Sequence, residues 1–75
     1  MIKEFIIHVD NQGFYIYASN KDEAVDKFLK ACEDYSLTEN KDYAKYWSEL
    51  FNKVVCGDYA MVENFDFHGI RKIIN

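Results

Sequence analysis

The strongest structural constraint in the chain is a hairpin pattern in residues 2–18. Two runs rich in β-branched and aromatic residues, 2–9 and 14–18, flank the polar segment 10–13, which reads DNQG. Short runs of this composition around a turn-forming segment are typical of two antiparallel strands joined by a tight turn. The chain therefore begins with a predicted β-hairpin.

The register of this hairpin decides which side chains share a face of the sheet. With an even-numbered loop Val9 lies opposite Phe14, whereas a three-residue loop with a bulge at Gly13 sets Val9 opposite Tyr15. We prefer the even loop, because it separates an aliphatic and phenylalanine face from a face whose side chains carry polar tips. The first face then holds Phe5, Ile7, Val9, Phe14, Ile16 and Ala18, and the second holds Ile6, His8, Tyr15 and Tyr17.

Two amphipathic helices are predicted after the hairpin. Asn20 is a capping residue, Glu23 follows it at the spacing of a capping box, and the helix extends to about Tyr35. The second helix ends at Gly57, so that Val54, Val55 and Cys56 finish it. Its apolar stripe consists of Tyr43, Trp47, Leu50 and Val54, widened by Tyr46 and Phe51.

Residues 58–75 favour two short strands joined by a turn. The pattern leaves open whether the turn lies at Glu63-Asn64 or at His68-Gly69, and whether residues 70–74 form a strand or one helical turn. No Pro and no Gly/Ser linker divides the chain. We therefore expect a single α+β domain over residues 1–75, in the order β-β-α-α-β-β, with an antiparallel sheet and both helices packed on one of its faces.

The composition favours a binding protein in the cytoplasm. A chain of 75 residues is close to the lower limit for a self-sufficient core, and 17% of its residues are aromatic, so we expect some rings at a surface that meets a partner. The formal net charge of -4 gives no general attraction to phosphate backbones, so direct nucleic-acid binding is not expected. The apolar runs are too short for a signal peptide or a membrane span, and no membrane partner is expected.

Catalytic and metal-binding patterns are weak. His8 and Asp10 share a strand face, but no nucleophile is predictably close to them, so we expect no enzymatic activity. The potential zinc ligands His8, His68, Cys32 and Cys56 lack paired spacing, and both cysteines are expected to be reduced thiols. The three glycines are too far apart for a phosphate-binding loop, so no cofactor is expected.

Three groups of side chains are candidates for contact with a partner protein. His8, Tyr15 and Tyr17 lie on the face of the hairpin away from the helices, where tyrosine suits an interface. A set of acids on one side of the first helix suits electrostatic steering, and a tyrosine at the edge of the second stripe is expected to show its hydroxyl outside the core. The acids are Asp22, Asp26 and Glu33, and the tyrosine is Tyr46. The alternative interpretations for the hairpin face are ordinary cross-strand pairs, His8 with Tyr15 and Ile6 with Tyr17, or cover by the last strands or by a second copy of the chain. For the acids the alternative is a solvated helix face.

Two resemblances bear on function. A hairpin followed by ASNKDEA at residues 18–24, which opens a helix, resembles a layout common among very small proteins of phages, plasmids and other mobile elements, over about residues 2–35. In size, acidic balance and lack of a catalytic motif the chain is also similar to anti-CRISPR and other counter-defence proteins. The resemblance implies an inhibitor that acts in the host cytoplasm and blocks a host protein, one that handles nucleic acid, by surface contact. The alternative is a structural or self-associating domain that forms a homodimer through its exposed sheet face.

Overall fold

The computed structural model describes residues 1–65 and shows an antiparallel sheet with two helices. The elements are β1 (Lys3–Val9), β2 (Gln12–Ala18), α1 (Lys21–Ser36), α2 (Lys41–Val55) and β3 (Ala60–Glu63). The three strands pair in the order β2-β1-β3. The predicted α+β class and the order β-β-α-α-β are confirmed for this part of the chain. The predicted second C-terminal strand, the possible turn at His68-Gly69 and the alternatives for residues 70–74 lie outside the described residues.

A two-residue turn joins β1 to β2. Val9 pairs with Gln12, so the loop consists of residues 10–11. The loop is even-numbered as predicted, but Phe14 lies opposite Ile7 and not opposite Val9. The register differs from the expected one by two residues, and side chains alternate between faces with a period of two. Every side chain of the hairpin therefore keeps its predicted face.

Side-chain caps fix the start of each helix. Asn20 Oδ1 accepts a hydrogen bond from the backbone N–H of Glu23 at 2.8 Å, and Asn40 Oδ1 accepts one from the N–H of Tyr43 at 3.1 Å. The Glu23 carboxylate accepts a hydrogen bond from the N–H of Ser19 at 2.5 Å. That hydrogen bond lowers the pKa of Glu23. A capping box would use the N–H of the N-cap residue Asn20, which is one position later. At the other end of α2, Cys56 is the C-cap and Gly57 follows with φ 82°, as the sequence predicts.

The hydrophobic core lies between the sheet and the two helices. Phe14 packs on Phe28 with 5.1 Å between the ring centroids. The central cluster of buried side chains comes from β1, α1 and α2, and consists of Ile7, Val9, Phe28, Cys32, Leu50 and Val54. Trp47, Tyr46 and Phe51 of the predicted α2 stripe are partly buried and pack against this cluster, whereas Tyr43 is 46% exposed and does not. Its ring lies 6.1 Å from Trp47, which is itself 5.9 Å from Phe14, so Trp47 fills the space next to the core and Tyr43 packs outside it.

The two cysteines are expected to react with thiol reagents at very different rates. Cys32 is buried and Cys56 is exposed. Burial raises the pKa of the Cys32 thiol to about 11, so its thiolate fraction at pH 8 is on the order of 10⁻³. We expect one fast equivalent in native protein titrated with a chromogenic disulfide at pH 8, and a second in urea. Cys56→Ser should abolish the fast phase alone, and two equally fast thiols in the native state would contradict the burial of Cys32.

Candidate partner-binding surface

The sheet has one face that the helices do not cover, which we call the open sheet face. Its described side chains are Glu4, Ile6, His8, Tyr15, Tyr17, Ala60 and Val62. Tyr15 pairs with Ile6 and Ile6 pairs with Val62, so one apolar row crosses all three strands. Tyr15 is 56% exposed and Val62 is 49% exposed. Exposed tyrosine and valine side chains in one row form a surface suited to contact with another protein.

His8 lies beside this row on the open sheet face. It pairs with Gly13, and Tyr15 pairs with Ile6, so the cross-strand pairs of our alternative interpretation are wrong by the same two-residue shift. A Cβ atom placed on Gly13 would lie 3.4 Å from both Cε1 and Nδ1 of His8, and 3.4 Å from Cγ2 of Ile6. The imidazole ring therefore lies across β2 at the position where Gly13 has no side chain, and it extends the exposed row by one residue.

The opposite end of the open sheet face, at Glu4 and Tyr17, is less exposed to solvent, and we call it the closed end. Tyr17 is half-buried and pairs with Glu4, whose side chain is only 2% exposed. The Glu4 carboxylate accepts a hydrogen bond from Nδ2 of Asn64, and the Glu4 carbonyl accepts one from the N–H of Asn64 at 2.9 Å. Of the sequence-predicted anchors, Tyr15 and His8 are thus exposed, whereas Tyr17 lies at the closed end.

The outer edge of β2 adds backbone groups to this surface. β2 is an outer strand of the described sheet, and the carbonyl of Tyr17 accepts a hydrogen bond from Nζ of Lys27 at 2.7 Å. Backbone groups of alternate residues in a strand point the same way. The N–H and C=O groups of Gly13 and Tyr15 therefore point to this outer edge, beside the exposed Tyr15 ring.

The predicted acidic residues lie on a different side of the domain. Asp22, Asp26 and Glu33 are all exposed on α1. Asp26 precedes the buried Phe28 by two residues, which places it about 160° around the helix from the core. The acids therefore face away from the sheet, and the structure does not bring them together with Tyr15 and His8 into one surface.

Both ends of the Tyr46 side chain contact other residues of the fold. Its ring packs edge-on against Trp47 with 5.3 Å between centroids, and its hydroxyl donates a hydrogen bond to Oε1 of Gln12. The residue is half-buried, and its hydroxyl, which was expected to lie outside the core, is hydrogen-bonded to an exposed residue at the start of β2.

A second exposed aromatic surface was not predicted from the sequence. Tyr35 is half-exposed, Leu37 is 80% exposed, and Tyr43 is exposed at the start of α2. We call these three residues, with the Trp47 ring between the two tyrosines, the helix-end patch. A usable signal was present in the sequence, because all three residues fall in the last turn of α1, its C-cap and the first turn of α2, where neighbouring elements cover fewer side chains.

Residues 1–65 contain neither a metal-binding cluster nor a membrane-spanning helix. Within residues 1–65, no group of three or more His, Cys, Asp or Glu side chains is arranged to hold a metal ion. In that same part of the chain neither helix has the length and apolar character needed to cross a membrane. Comparisons with protein-family models, with curated proteins and with solved structures found no match.

Proposed function

We propose that the chain is a non-enzymatic protein-binding module, which contacts its partner through the open sheet face and the outer edge of β2. The observation that carries this proposal is the row of exposed Tyr15, half-buried Ile6 and exposed Val62, next to backbone groups at a strand edge that pair with no other strand of residues 1–65. Tyrosine gives large contact area at low entropic cost, and its hydroxyl tolerates solvent when no partner is bound.

The strand edge supports the same function. An extended segment of a partner can add to an outer strand, so that backbone hydrogen bonds supply affinity and side-chain contacts supply specificity. Gly13 and Tyr15 point their backbone N–H and C=O groups to this edge. The carbonyl of Tyr17 already accepts a hydrogen bond from Lys27. A partner strand would therefore align with the hairpin end of β2, where His8 and Tyr15 are both exposed.

The target is proposed from the resemblances given above. A host defence protein that handles nucleic acid, blocked by a phage or mobile-element inhibitor in the host cytoplasm, suits a small acidic chain with an exposed tyrosine row. Such targets carry basic grooves, and the net charge of -4 favours association with them over association with nucleic acid.

A homodimer is the second candidate function, and one observation favours it. The backbone groups of Tyr15 point to the outer edge near the middle of β2, so two copies related by a two-fold axis can pair Tyr15 with Tyr15 and extend the sheet. The Lys27 contact with Tyr17 opposes this arrangement, because Gly13 of the second copy would need the same position.

Light scattering at several protein concentrations combined with partner capture tests both candidates. The variants are Tyr15→Asp and Val62→Asp on the open sheet face, with Val55→Asp, an exposed position at the end of α2, as the matched control. For a binding module, we expect a monomer whose partner from a bacterial lysate is retained by Val55→Asp and bound about 10-fold or more weakly by the other two.

Two outcomes would count against this function. A concentration-dependent dimer that only Tyr15→Asp dissociates would favour the homodimer. A partner that binds wild type, Tyr15→Asp and Val62→Asp equally would show that the open sheet face is not the contact surface.

A further inference from the structure

We propose that the helix-end patch is a second binding surface, and that it takes a basic segment of a partner protein, with an arginine side chain stacked on its tyrosine rings. This goes beyond the proposed function, because the patch lies where α1 and α2 meet and shares no residue with the open sheet face.

The aromatic part of the patch is built around Trp47. The rings of Tyr35 and Tyr43 lie 4.9 Å and 6.1 Å from the Trp47 ring, on α1 and α2 respectively. Both tyrosines are about half-exposed, and Leu37 next to them is 80% exposed. Aromatic rings that are held by a neighbour and still open to solvent can bind a cation over their faces.

The charged residues around the patch favour a positively charged occupant. Residues 34–43 hold three carboxylates, Asp34, Glu39 and Asp42, against one lysine, and all four groups are exposed. The lysine is Lys41, which precedes Tyr43 by two residues and therefore points to the other side of α2, about 160° away. Asp34 and Asp42 are the direct sequence neighbours of Tyr35 and Tyr43, so the surroundings of the tyrosine rings carry an excess of negative charge.

This charge argues against the other occupants. A second copy of the chain on the same patch would bring two anionic surfaces together, and nucleic acid or an anionic membrane would be repelled. An apolar peptide would bury carboxylates without a counter-charge. Arginine is preferred over lysine, because its planar guanidinium stacks on aromatic rings and is less strongly hydrated.

The indole of Trp47 provides a probe of the patch, because its ring contacts both tyrosines. Its Nε1 is buried and has no hydrogen-bond partner among the residues that the structure describes. The indole N–H is also a single reporter, since the chain contains one Trp.

The test uses three blocked hexapeptides, of alternating Gly with Arg, Lys or Glu, titrated into the full chain at low salt. Binding is followed by Trp47 fluorescence and by the indole and backbone amide resonances in two-dimensional NMR. We expect the Arg peptide to shift the resonances of Trp47, Tyr35 and Tyr43, the Lys peptide to bind more weakly, and the Glu peptide to leave them unchanged.

Two sets of variants distinguish binding at the helix-end patch from nonspecific attraction of the peptide to the negative charge of the chain. Tyr43→Ala and a triple neutralisation, Asp34→Asn with Glu39→Gln and Asp42→Asn, should each weaken binding of the Arg peptide about five-fold or more. The matched control neutralises three exposed carboxylates elsewhere, Asp22→Asn, Asp26→Asn and Glu49→Gln, and should change the affinity less than two-fold.

Equal weakening by the two triple variants, or equal binding of the Arg and Glu peptides, would overturn the proposal. Resonance shifts confined to Tyr15 and Val62 would also overturn it, because they would assign the basic segment to the open sheet face. Tyr15→Asp should bind the Arg peptide like wild type, so failure of this proposal is distinguishable from failure of the proposed function.

Discussion

Replacing Phe28 with alanine is expected to lower the free energy of unfolding by about 3–5 kcal/mol. Phe28 is among the largest fully buried side chains, and its ring lies 5.1 Å from that of Phe14 on β2. It joins α1 to the sheet, so its removal leaves a cavity at the contact between the two layers. A domain of 75 residues has a total stability of roughly 4–11 kcal/mol, and the variant should therefore be close to unfolded.

Urea denaturation followed by far-UV circular dichroism measures this loss. The matched control is Phe65→Ala, the same substitution at an exposed phenylalanine, which should change the free energy of unfolding by less than about 0.5 kcal/mol. A Phe28→Ala variant that unfolds within about 1 kcal/mol of wild type would mean that α1 does not depend on this contact.

The faces of the hairpin could be predicted from the sequence because they depend only on alternation. Phe5, Ile7 and Val9 are buried, as expected, and Tyr15 is exposed on the other face. The exact register could not be predicted in the same way, because loops of two and four residues give the same alternation. Asp10 decides between them, since it adopts φ 57° in the two-residue turn and its carboxylate binds Nζ of Lys53 on α2 at 2.7 Å.

Burial at the ends of elements could not be predicted from periodicity. Tyr43 has the spacing of a core residue, yet it lies in the first turn of α2, where Trp47 separates it from the core. The helix-end patch follows from where the two helices stop relative to each other, which depends on tertiary packing. The predicted acids of α1 are exposed as expected of a polar helix face, but only the fold shows that they face away from Tyr15 and His8.

The burial of Glu4, on the sheet, also could not be predicted from the sequence pattern. Alternation assigns it to the open sheet face, where a carboxylate is expected to be solvated. It is instead the one charged residue among the buried side chains of residues 1–65, at 2% exposure. Asn64, directly after β3, provides both a side-chain amide and a backbone N–H to it. A contact between residues 60 positions apart in sequence carries no local signal.

Replacing Glu4 with alanine is expected to lower the free energy of unfolding by about 1–3 kcal/mol, because it removes a buried carboxylate together with the hydrogen bond that this carboxylate accepts from the Asn64 amide. Glu4→Gln should cost less than Glu4→Ala, since the glutamine oxygen can still accept from Asn64. Glu49→Ala, at an exposed site on α2, is the control and should remain within about 0.5 kcal/mol of wild type. Urea denaturation of the three variants measures these differences. If Glu4→Ala were as stable as Glu49→Ala, this end of the open sheet face would be accessible to water, and the surface available to a partner would extend from Tyr15 to Tyr17.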